Sequence, residues 1–448
     1  MDGRNLLGMT PVKSFIKSRL FPGIFQWPTA FVFAVVIYQL FYGPSSAHDN
    51  FGTAMTWVLW WPIIPLVFLL LGRFWCAICP FATLSDIVQK WVGNHRPVPV
   101  FLKKYGIWII DAMFILITWA DHIFGIVESP LGSGVLLLII ITGVVISGAF
   151  FERRTWCRYL CFLGGLSGNY SRAGVLELRA DSEKCKKCKD KFCYKGKGDI
   201  AGCPMFEMPG VMDSSAKCNL CGNCVKTCPN DSVTLKARIP SKELWFISKP
   251  KIEESFLAII IMGIVFVQNI TMLEIWKDAQ RFIEGITGTS NYSVTFTITF
   301  LIAMAVPVLA LYLTSWLAGV NNKKTAIFNF TKFGYALIPL DLAGHLAHNL
   351  FHLLAEGKSV LYTGIVMFIP GYEGGSAALV SDGTIQILQF ALIGLGLIAS
   401  IFTAYKISKN NFGKNNKNFA SLAPYAVLLV ILAVFNIYLF TLPMSMRM

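Results

Sequence analysis

A series of long apolar segments constrains this 448-residue chain more than any other feature of its sequence. Each is long enough to cross a hydrocarbon core roughly 30 Å thick, which takes about 20 apolar residues in a helix. The predicted spans are 25–43, 54–74, 104–124, 132–151, 255–275, 293–317, 327–353, 384–405 and 420–442. Because a backbone in lipid must satisfy its own hydrogen bonds, the sequence predicts an all-α polytopic membrane protein with about nine transmembrane helices.

The composition agrees with this fold class, since 55% of the residues are hydrophobic and only 14% are charged. A further apolar segment at 360–380 is broken by Pro370, Gly371, Gly374 and Gly375. Proline and glycine interrupt helices, so we expect a loop or a half-inserted element there.

Basic residues concentrate in alternate loops, which orients the predicted bundle. They are Lys13, Lys17, Arg19, Lys90, Arg96, Lys103, Lys104, Arg153, Arg154, Lys323, Lys324, Lys406, Lys409, Lys414 and Lys417. The opposite loops SSAHDNFG and DHIFGIVESPLGSG contain no Lys or Arg. We therefore expect a multi-pass protein of the inner (cytoplasmic) membrane with its N-terminus in the cytoplasm and its C-terminus outside.

The same asymmetry explains most of the net charge of +14. We therefore expect contact with membrane lipid and no nucleic-acid partner. The stretch before the first span is charged and lacks a small-residue cleavage site, which indicates a retained helix rather than a signal peptide.

All twelve cysteines lie between Cys76 and Cys228, on the predicted cytoplasmic side. That compartment is reducing, which favours metal ligation over disulfides. Eight of the cysteines fall in one polar insert and read CKKCKDKFC, GCP and CNLCGNCVKTCP. The sequence thus predicts a four-helix membrane region at 1–175, an inserted bacterial-type 2[4Fe–4S] ferredoxin domain at 176–240, and a five-helix membrane region at 241–448.

The last cysteine run matches the bacterial ferredoxin pattern C-x2-C-x2-C-x3-C-P, whose fourth cysteine ligates the other cluster. The first run has longer gaps before its third and fourth cysteines. We still expect two [4Fe–4S] clusters in the crossed arrangement. One takes Cys185, Cys188, Cys193 and Cys228, and the other takes Cys218, Cys221, Cys224 and Cys203. Zinc is the simpler alternative, because CxxC pairs also bind that metal.

The four remaining cysteines form two pairs at predicted helix ends. GRFWCAICPF places Cys76 and Cys79 at the cytoplasmic end of the second span, and RTWCRYLCF places Cys157 and Cys161 just after the fourth. Two such pairs can converge and hold a third Fe–S cluster. A thiol–disulfide pair and plain buried cysteines are the alternatives.

Seven lysines crowd the first cysteine run: Lys184, Lys186, Lys187, Lys189, Lys191, Lys195 and Lys197. Two interpretations stay open. The lysines form either a solvated basic face near anionic lipid or a docking surface for an acidic cytoplasmic redox protein.

A stripe of ionisable residues marks the seventh predicted span, DLAGHLAHNLFHLL. Asp341, His345, His348 and His352 lie at offsets of 0, 4, 7 and 11, which places them on one helical face. Ionisable groups in hydrocarbon are costly and usually functional. The stripe is compatible with a haem b that takes His122 as its second axial ligand, and with a copper or zinc site.

A third interpretation is a proton or quinol path, because histidine titrates near neutrality and Asp341 can pass a proton on. The simplest alternative is that some of these histidines only form hydrogen bonds to neighbouring helices. Asn269 and Asn436 are isolated polar residues in other spans, and we expect both to serve helix packing.

The combination of GRFWCAICP, a second cysteine pair after a later span and a two-cluster insert resembles the membrane ferredoxin-type proteins of the NapH and NosR families. Those families serve nitrate and nitrous oxide respiration. The sequence also looks like related cytochrome oxidase assembly proteins that reduce copper. The resemblance covers roughly residues 55–240.

The sequence departs from the family pattern in several places. Family members show CxxxCP twice, whereas here the first pair is CxxC and the second is followed by Phe162. The stretch before the first span is too short for the outer flavin domain of the NosR type. The last five spans extend beyond the simpler NapH type.

The resemblance implies electron transfer between the quinone pool, cytoplasmic-side clusters and an outer-side enzyme or cytochrome. The expected function is therefore that of a membrane-integral iron–sulfur subunit of a respiratory redox complex, with quinol-oxidoreductase chemistry. The alternative function is a copper-reducing assembly factor for a respiratory enzyme. A third class is an ion-transporting subunit with structural clusters, since Asp341 and Asp111 lie in predicted spans.

Overall fold

The computed structural model describes residues 4–369, 371–372, 374–413 and 416–442, with the side chains of 416–418 left aside. Pro370, Lys414 and the side chain of Lys417, which entered the sequence argument, lie outside the described residues. The chain divides into two compact units. The first comprises Met1–Tyr38, Leu66–Ile110 and Gly134–Glu243, and the second comprises Gln39–Pro65, Asp111–Ser133 and Leu244–Met448.

The helices up to residue 243 include both long apolar elements and short polar ones. In chain order they are α1 Thr10–Lys17, α2 Gly23–Tyr42, α3 Phe51–Thr53, α4 Trp61–Leu71, α5 Trp75–Ile78, α6 Pro80–Val92, α7 Val100–Phe124, α8 Pro130–Phe150, α9 Thr155–Tyr159, α10 Phe162–Ala173, α11 Ser182–Lys187, α12 Phe192–Lys195 and α13 Asn223–Thr227. A π-helix, Ala54–Trp60, joins α3 to α4. Short 3₁₀ turns lie at Leu6–Gly8 and Gly72–Phe74.

The remaining helices are α14 Ile252–Ile270, α15 Ile275–Thr287, α16 Tyr292–Asn322, α17 Ala326–Phe333, α18 Ile338–Glu356, α19 Ser359–Val366, α20 Asp382–Phe412 and α21 Asn416–Thr441. Further 3₁₀ turns lie at Lys242–Phe246 and Gly334–Ala336. The predicted loop or half-inserted element at 360–380 begins with α19, and its described residues after Val366 form no regular helix.

Seven helical stretches of the described chain are long and apolar enough to cross a membrane. They are Gly23–Tyr42, Phe51–Val92, Pro130–Phe150, Ile252–Ile270, Tyr292–Asn322, Asp382–Phe412 and Phe419–Thr441. The prediction of a helical, multi-pass membrane protein is confirmed. The other two predicted spans, 104–124 and 327–353, overlap with α7 and α18. The ionisable residues of these two helices lower their hydropathy. The count of nine spans and the sides of the two chain ends stay predictions.

The segment 327–353, predicted as one helix, is divided in the structure. α17 ends at Phe333, a 3₁₀ turn covers Gly334–Ala336, and α18 begins at Ile338 with Pro339 in its first turn. Proline has no backbone N–H and its ring collides with the carbonyl one turn earlier, which favours a break or kink in the helix before Pro339. The histidines therefore all lie on the later helix, α18.

The polar insert of the first unit contains two small antiparallel sheets. β1 (Leu176–Ala180) pairs with β4 (Val233–Ala237) in the register Leu178 opposite Leu235. β2 (Gly196–Lys197) pairs with β3 (Ile200–Ala201). The β1–β4 ladder joins the two ends of the insert, so the loops that carry the cysteines project from one closed base.

A small apolar core fixes the insert against the N-terminal segment in the same unit. Its buried members are Leu7, Leu178, Met212, Val225 and Val233, and the side chains of Cys218, Cys224 and Cys228 pack against them. Full burial of one such aliphatic side chain contributes about 1.5–3 kcal/mol. The cysteine loops are thus held by packing as well as by their backbone.

In the second unit α14 is the most buried of the apolar helices. It packs against α16, α17 and α18, and α18 packs against α20. Residues from Leu257 to Val267 of α14 are buried without interruption. A helix that is apolar on all sides belongs at the centre of a bundle, and α18, with its ionisable stripe, is held beside it.

Candidate metal centres

The two cysteine pairs of the membrane region have the same local architecture. Cys76 lies on α5 and Cys157 lies on α9, each three residues after an arginine in the sequence R-x-W-C. Cys79 is the N-cap residue of α6, and Cys161 is the N-cap residue of α10. A helix N-terminus carries partial positive charge, which favours a thiolate at both caps.

The structure brings these four cysteines together within the first unit. Burial raises the pKa of Cys161 well above that of a free thiol, and Cys157, Cys79 and Cys76 raise it further. Burial also raises the pKa of Cys157 to about 11, with Arg154 opposing the rise. Four thiols this close and this buried resist ionisation unless a cation joins them. We refer to them as the third cysteine set.

Two buried arginines flank the third set. The guanidinium of Arg154 donates two hydrogen bonds to the carboxylate of Asp86, at 2.8 and 2.5 Å, and Nη1 donates to the carbonyl of Cys76 at 2.8 Å. Arg73 donates to the carbonyl of Ala216, and its other terminal nitrogen lies 3.9 Å from the sulfur of Cys76. Their positive charges favour thiolates, and an anionic cluster, at this position.

Four cysteines of the insert line one cavity, and they are the second predicted cluster set. The cavity contains about 370 Å³ of space that no atom fills, part of it open to solvent, and Cys203, Cys218, Cys221 and Cys224 are on its wall. Burial raises the pKa of Cys221 to about 12, with Cys203 and Cys218 adding to the rise. The backbone N–H of Glu207 lies 3.4 Å from the sulfur of Cys203. We refer to these four as the second cysteine set.

The first predicted cluster set is also assembled. Burial raises the pKa of Cys193, and Cys185, Cys228 and Cys188 raise it further. Ser232 connects the two runs, because its hydroxyl lies 3.5 Å from the sulfur of Cys185 and 3.3 Å from that of Cys228. Its backbone N–H donates to the sulfur of Cys228 at 3.4 Å. We refer to these four as the first cysteine set.

Gly210 gives the first set the space it needs. A Cβ atom on this residue would lie 2.4 Å from the Cβ and 2.8 Å from the sulfur of Cys185. Both distances are shorter than real carbon contacts, so only glycine fits beside this thiol.

The three sets follow one another within the first unit. Burial raises the pKa of Cys224 in the second set well above the usual value, and the other cysteines of that set raise it further. Cys193 of the first set also raises the pKa of Cys224. The positive charge of Arg154 lowers the pKa of Cys221 in the second set and of Cys157 in the third. The charge of Arg73 likewise lowers the pKa of Cys218 and of Cys157. The second set therefore lies near the first, and the guanidinium groups of Arg73 and Arg154 lie near both the second set and the third.

The donor chemistry of the three sets fits iron–sulfur clusters. Each set supplies four sulfur ligands, and cluster iron would supply the positive charge that the mutually repelling thiolates require. Among the described residues no three His, Cys, Asp or Glu side chains are placed to share one metal ion. A cubane has a different requirement, because each of its four cysteines binds a separate iron atom.

The histidine stripe lies on α18 in the second unit, as predicted from the spacing. Asp341, His345 and His348 are buried, and His352 is partly buried. His348 Nδ1 is hydrogen-bonded to Asn269 Oδ1 on α14 at 2.7 Å. That contact matches the simplest alternative for a stripe histidine, a hydrogen bond to a neighbouring helix.

His122, the proposed axial partner, is already engaged on α7. Its Nδ1 lies 2.8 Å from the carbonyl of Thr118 and its Nε2 lies 3.2 Å from the hydroxyl of Thr271. Its ring stacks on Phe296 with 5.1 Å between centroids. Both nitrogens of this ring have protein partners, so the haem interpretation gains no support from His122.

These elements define a class of protein: a polytopic membrane protein that carries ferredoxin-type cysteine sets. A family model described as a 4Fe-4S binding domain matches the chain twice, at residues 53–99 and 133–179. The two matches contain the two pairs of the third set. The chain is 30% identical to the ferredoxin-type protein NapH of Escherichia coli (strain K12), over 43% of this chain and 71% of that protein.

The chain belongs to the family of ferredoxin-type proteins that includes NapH. It is also 27% identical to the putative electron transport protein YccM of Escherichia coli (strain K12), over 37% of this chain and 51% of that protein. The uncharacterized protein MJ0750 of Methanocaldococcus jannaschii is 24% identical over 38% of this chain and 75% of its own length. No solved structure matches the chain. The chain is thus a membrane-embedded, ferredoxin-type electron transport protein that binds iron–sulfur clusters, and the resemblance to NapH is confirmed.

The sequence alone does not indicate the residues that support the cysteines. Arg73 and Arg154 are only motif and basic loop residues in it, and nothing in it distinguishes Ser232 or Gly210. One signal was present in the sequence: an arginine precedes the first cysteine of each membrane pair by three residues. The double match of one family model to both segments indicates that this signal belongs to a repeated unit.

Proposed function

We propose that this protein is a subunit of a respiratory redox complex and carries electrons between the quinone pool, cytoplasmic-side clusters and a partner on the outer side. One observation supports the proposal most strongly: the twelve cysteines form three sets of four that follow one another in a single unit. A serial arrangement suits conduction, whereas isolated structural sites have no need of it.

The ligand sets of the three clusters are part of the proposal. The first set would hold one [4Fe–4S] cluster, the second set another, and the third set a third. When bound, a [4Fe–4S] cluster takes up and releases one electron at a time. The protein's own residues fix the sulfurs, and the buried arginines place positive charge beside the second and third sets.

The buried arginines have a defined task in this arrangement. An anionic cluster at the membrane boundary carries a desolvation cost, which neighbouring guanidinium groups offset. Arg154 is only 4% exposed and Arg73 only 3%, so solvent screens their charges weakly. Both therefore favour the reduced, more negative form of a cluster in the third set.

The test uses the purified full chain in liposomes under anaerobic conditions. Addition of quinol should bleach the iron–sulfur absorbance, and Cys221→Ala should lose part of the bleaching signal. Oxidation of the clusters by added copper, with no response to quinol, would contradict the respiratory proposal and support the alternative of a copper-reducing assembly factor.

A further inference from the structure

The ionisable stripe of α18 extends beyond the four residues that the sequence singled out. Glu356 lies one turn after His352, with its Oε1 3.9 Å from His352 Nδ1. The rings of His352 and His348 are 5.2 Å apart between centroids. His348, His345 and Asp341 then follow at helical spacings of three and four residues, which place them on one face. Five groups that can carry a proton thus form one row.

Burial increases steadily along this row. The side chains of Glu356 and His352 are 39% and 13% exposed. His348 is 7% exposed, His345 2% and Asp341 0%. Glu356 is therefore the accessible end of the row, and Asp341 is the deepest group. The ring of Trp61 lies 5.8 Å from that of His345 and covers the deep part of the row.

Asp341 is an exceptional group in its surroundings. Neither carboxyl oxygen has a hydrogen-bond partner among the described residues. Burying a bare carboxylate costs several kcal/mol, so the group is neutral when nothing accompanies it. A neutral carboxyl in the centre of a bundle carries a proton. This proton can exchange with the solvent only if a chain of groups connects the carboxyl to the surface.

Three amide side chains lie beside the row, and each has a polar atom without a hydrogen-bond partner in the described chain. Asn269 bonds His348, Asn349 donates to the carbonyl of His345 at 2.7 Å, and Asn436 lies beside Gly344. Asn269 Nδ2, Asn349 Oδ1 and Asn436 Oδ1 are buried and have no partner in the described chain. Such atoms are ordinarily satisfied by ordered water, which also relays protons.

We propose that the row Glu356–His352–His348–His345–Asp341 is a proton path that connects water at the Glu356 end with a buried, protonated Asp341. A proton enters at Glu356 and passes between the imidazoles to Asp341, and the proton that Asp341 gives up returns along the same row to the solvent, so that the charge of the row is conserved. This proposal goes beyond electron transfer and holds whether or not the cysteine sets have their proposed role.

The experiment follows the carboxylic C=O stretch of the full-length protein by infrared spectroscopy as the solvent is changed from H₂O to D₂O. The wild type should show a carboxylic acid band that Asp341→Asn removes and Asp111→Asn leaves in place. His352→Gln should slow the deuterium shift of that band by about a hundredfold, the effect typical of losing a positioned acid–base group. His122→Gln is the matched control, since His122 lies outside the row, and should leave the exchange rate unchanged.

Glu356→Gln provides a second variant at the exposed end, where a substitution leaves the packing intact. It should also slow exchange, by less than His352→Gln, because His352 is itself 13% exposed. Retained iron–sulfur absorbance identifies folded variants. Absence of an Asp341 band in the wild type would overturn the proposal, and so would equal exchange rates in the wild type and both row variants.

Discussion

Arg154 and Asp86 form a two-pronged ion pair beside the third cysteine set, with Nε to Oδ1 at 2.8 Å and Nη2 to Oδ2 at 2.5 Å. The pair holds the guanidinium so that Nη1 reaches the carbonyl of Cys76. Geometry of this kind is specific to arginine, because lysine has no planar fork. Arg154 therefore both holds the backbone of α5 at Cys76 and provides a fixed positive charge near the second and third sets.

Arg154→Gln should lower the reduction potential of the cluster in the third set, since removal of a positive charge destabilises its reduced form. A loss of about 1.4 kcal/mol corresponds to about 59 mV for one electron. A redox titration followed by electron paramagnetic resonance measures the shift. Arg281→Gln is the control, because Arg281 forms an exposed pair with Asp278 in the second unit, outside the cysteine sets. An unchanged potential in Arg154→Gln would separate this arginine from the redox centres.

Gly210→Ala should disturb the first set and spare the other two. The new Cβ would lie 2.4 Å from the Cβ of Cys185, so the thiol must move. We expect the iron content to fall by one cluster's worth, or the first cluster's spectrum to change. Gly8→Ala is the control, because no atom lies within 4 Å of a Cβ there. Iron content and spectrum equal to those of the wild type would show that the first set tolerates the displacement.

Glu243→Gln should destabilise the insert. Burial raises the pKa of Glu243, but Arg238 and Arg179 outweigh it, and the net pKa is below the usual 4.5. A carboxylate with a lowered pKa stabilises the fold above the unfolded-state pKa, and this contribution is lost as the pH falls through the folded-state pKa. Breaking a buried pair costs about 3–5 kcal/mol.

Thermal loss of iron–sulfur absorbance at several pH values tests this prediction. The wild type should outlast Glu243→Gln most clearly above about pH 4.5, and the difference should shrink in acid. Asp278→Asn is the matched control. Both side chains of the Asp278–Arg281 pair are exposed, so the pair contributes little to the free energy of unfolding. Equal loss curves for the wild type and Glu243→Gln at neutral pH would mean that the ion-pair network does not support the insert.

The basic loop around the first set should govern docking of an acidic redox protein. All seven of its lysines are exposed. Lys187→Glu with Lys189→Glu should slow reduction by an acidic electron carrier and flatten the salt dependence of the rate. Lys277→Glu, an exposed lysine on α15, is the control. Unchanged rates together with weaker binding to anionic vesicles would assign the lysines to lipid instead.

The spacing of the cysteines predicts the ligand sets from the sequence. This is possible because most ligands of one cluster are close in sequence and cluster geometry fixes the gaps between them. The supporting residues are different. Ser232 meets Cys185 only after the β1–β4 ladder has closed the insert, and Arg73 meets Ala216 across more than a hundred residues. Such long-range contacts leave no periodic trace, so a single sequence does not reveal them.

The helical stripe shows both the strength and the limit of periodicity. Offsets of three and four residues placed Asp341, His345, His348 and His352 on one face, and α18 has them there. The partner of His348 is on another helix, and an isolated Asn269 in an apolar segment was interpreted only as a packing residue. The break before Pro339 was missed, because apolar composition outweighed one proline in the sequence argument.

The content of iron and acid-labile sulfide per folded chain, in the wild type and in variants of each set, shows whether the three cysteine sets hold clusters. Three [4Fe–4S] clusters correspond to about twelve iron atoms per chain. Cys188→Ala, Cys221→Ala and the double substitution of Cys76 and Cys157 by alanine should each remove one cluster's worth. A folded preparation without iron–sulfur absorbance, or an iron content that none of these substitutions changes, would show that the cysteines do not hold these clusters.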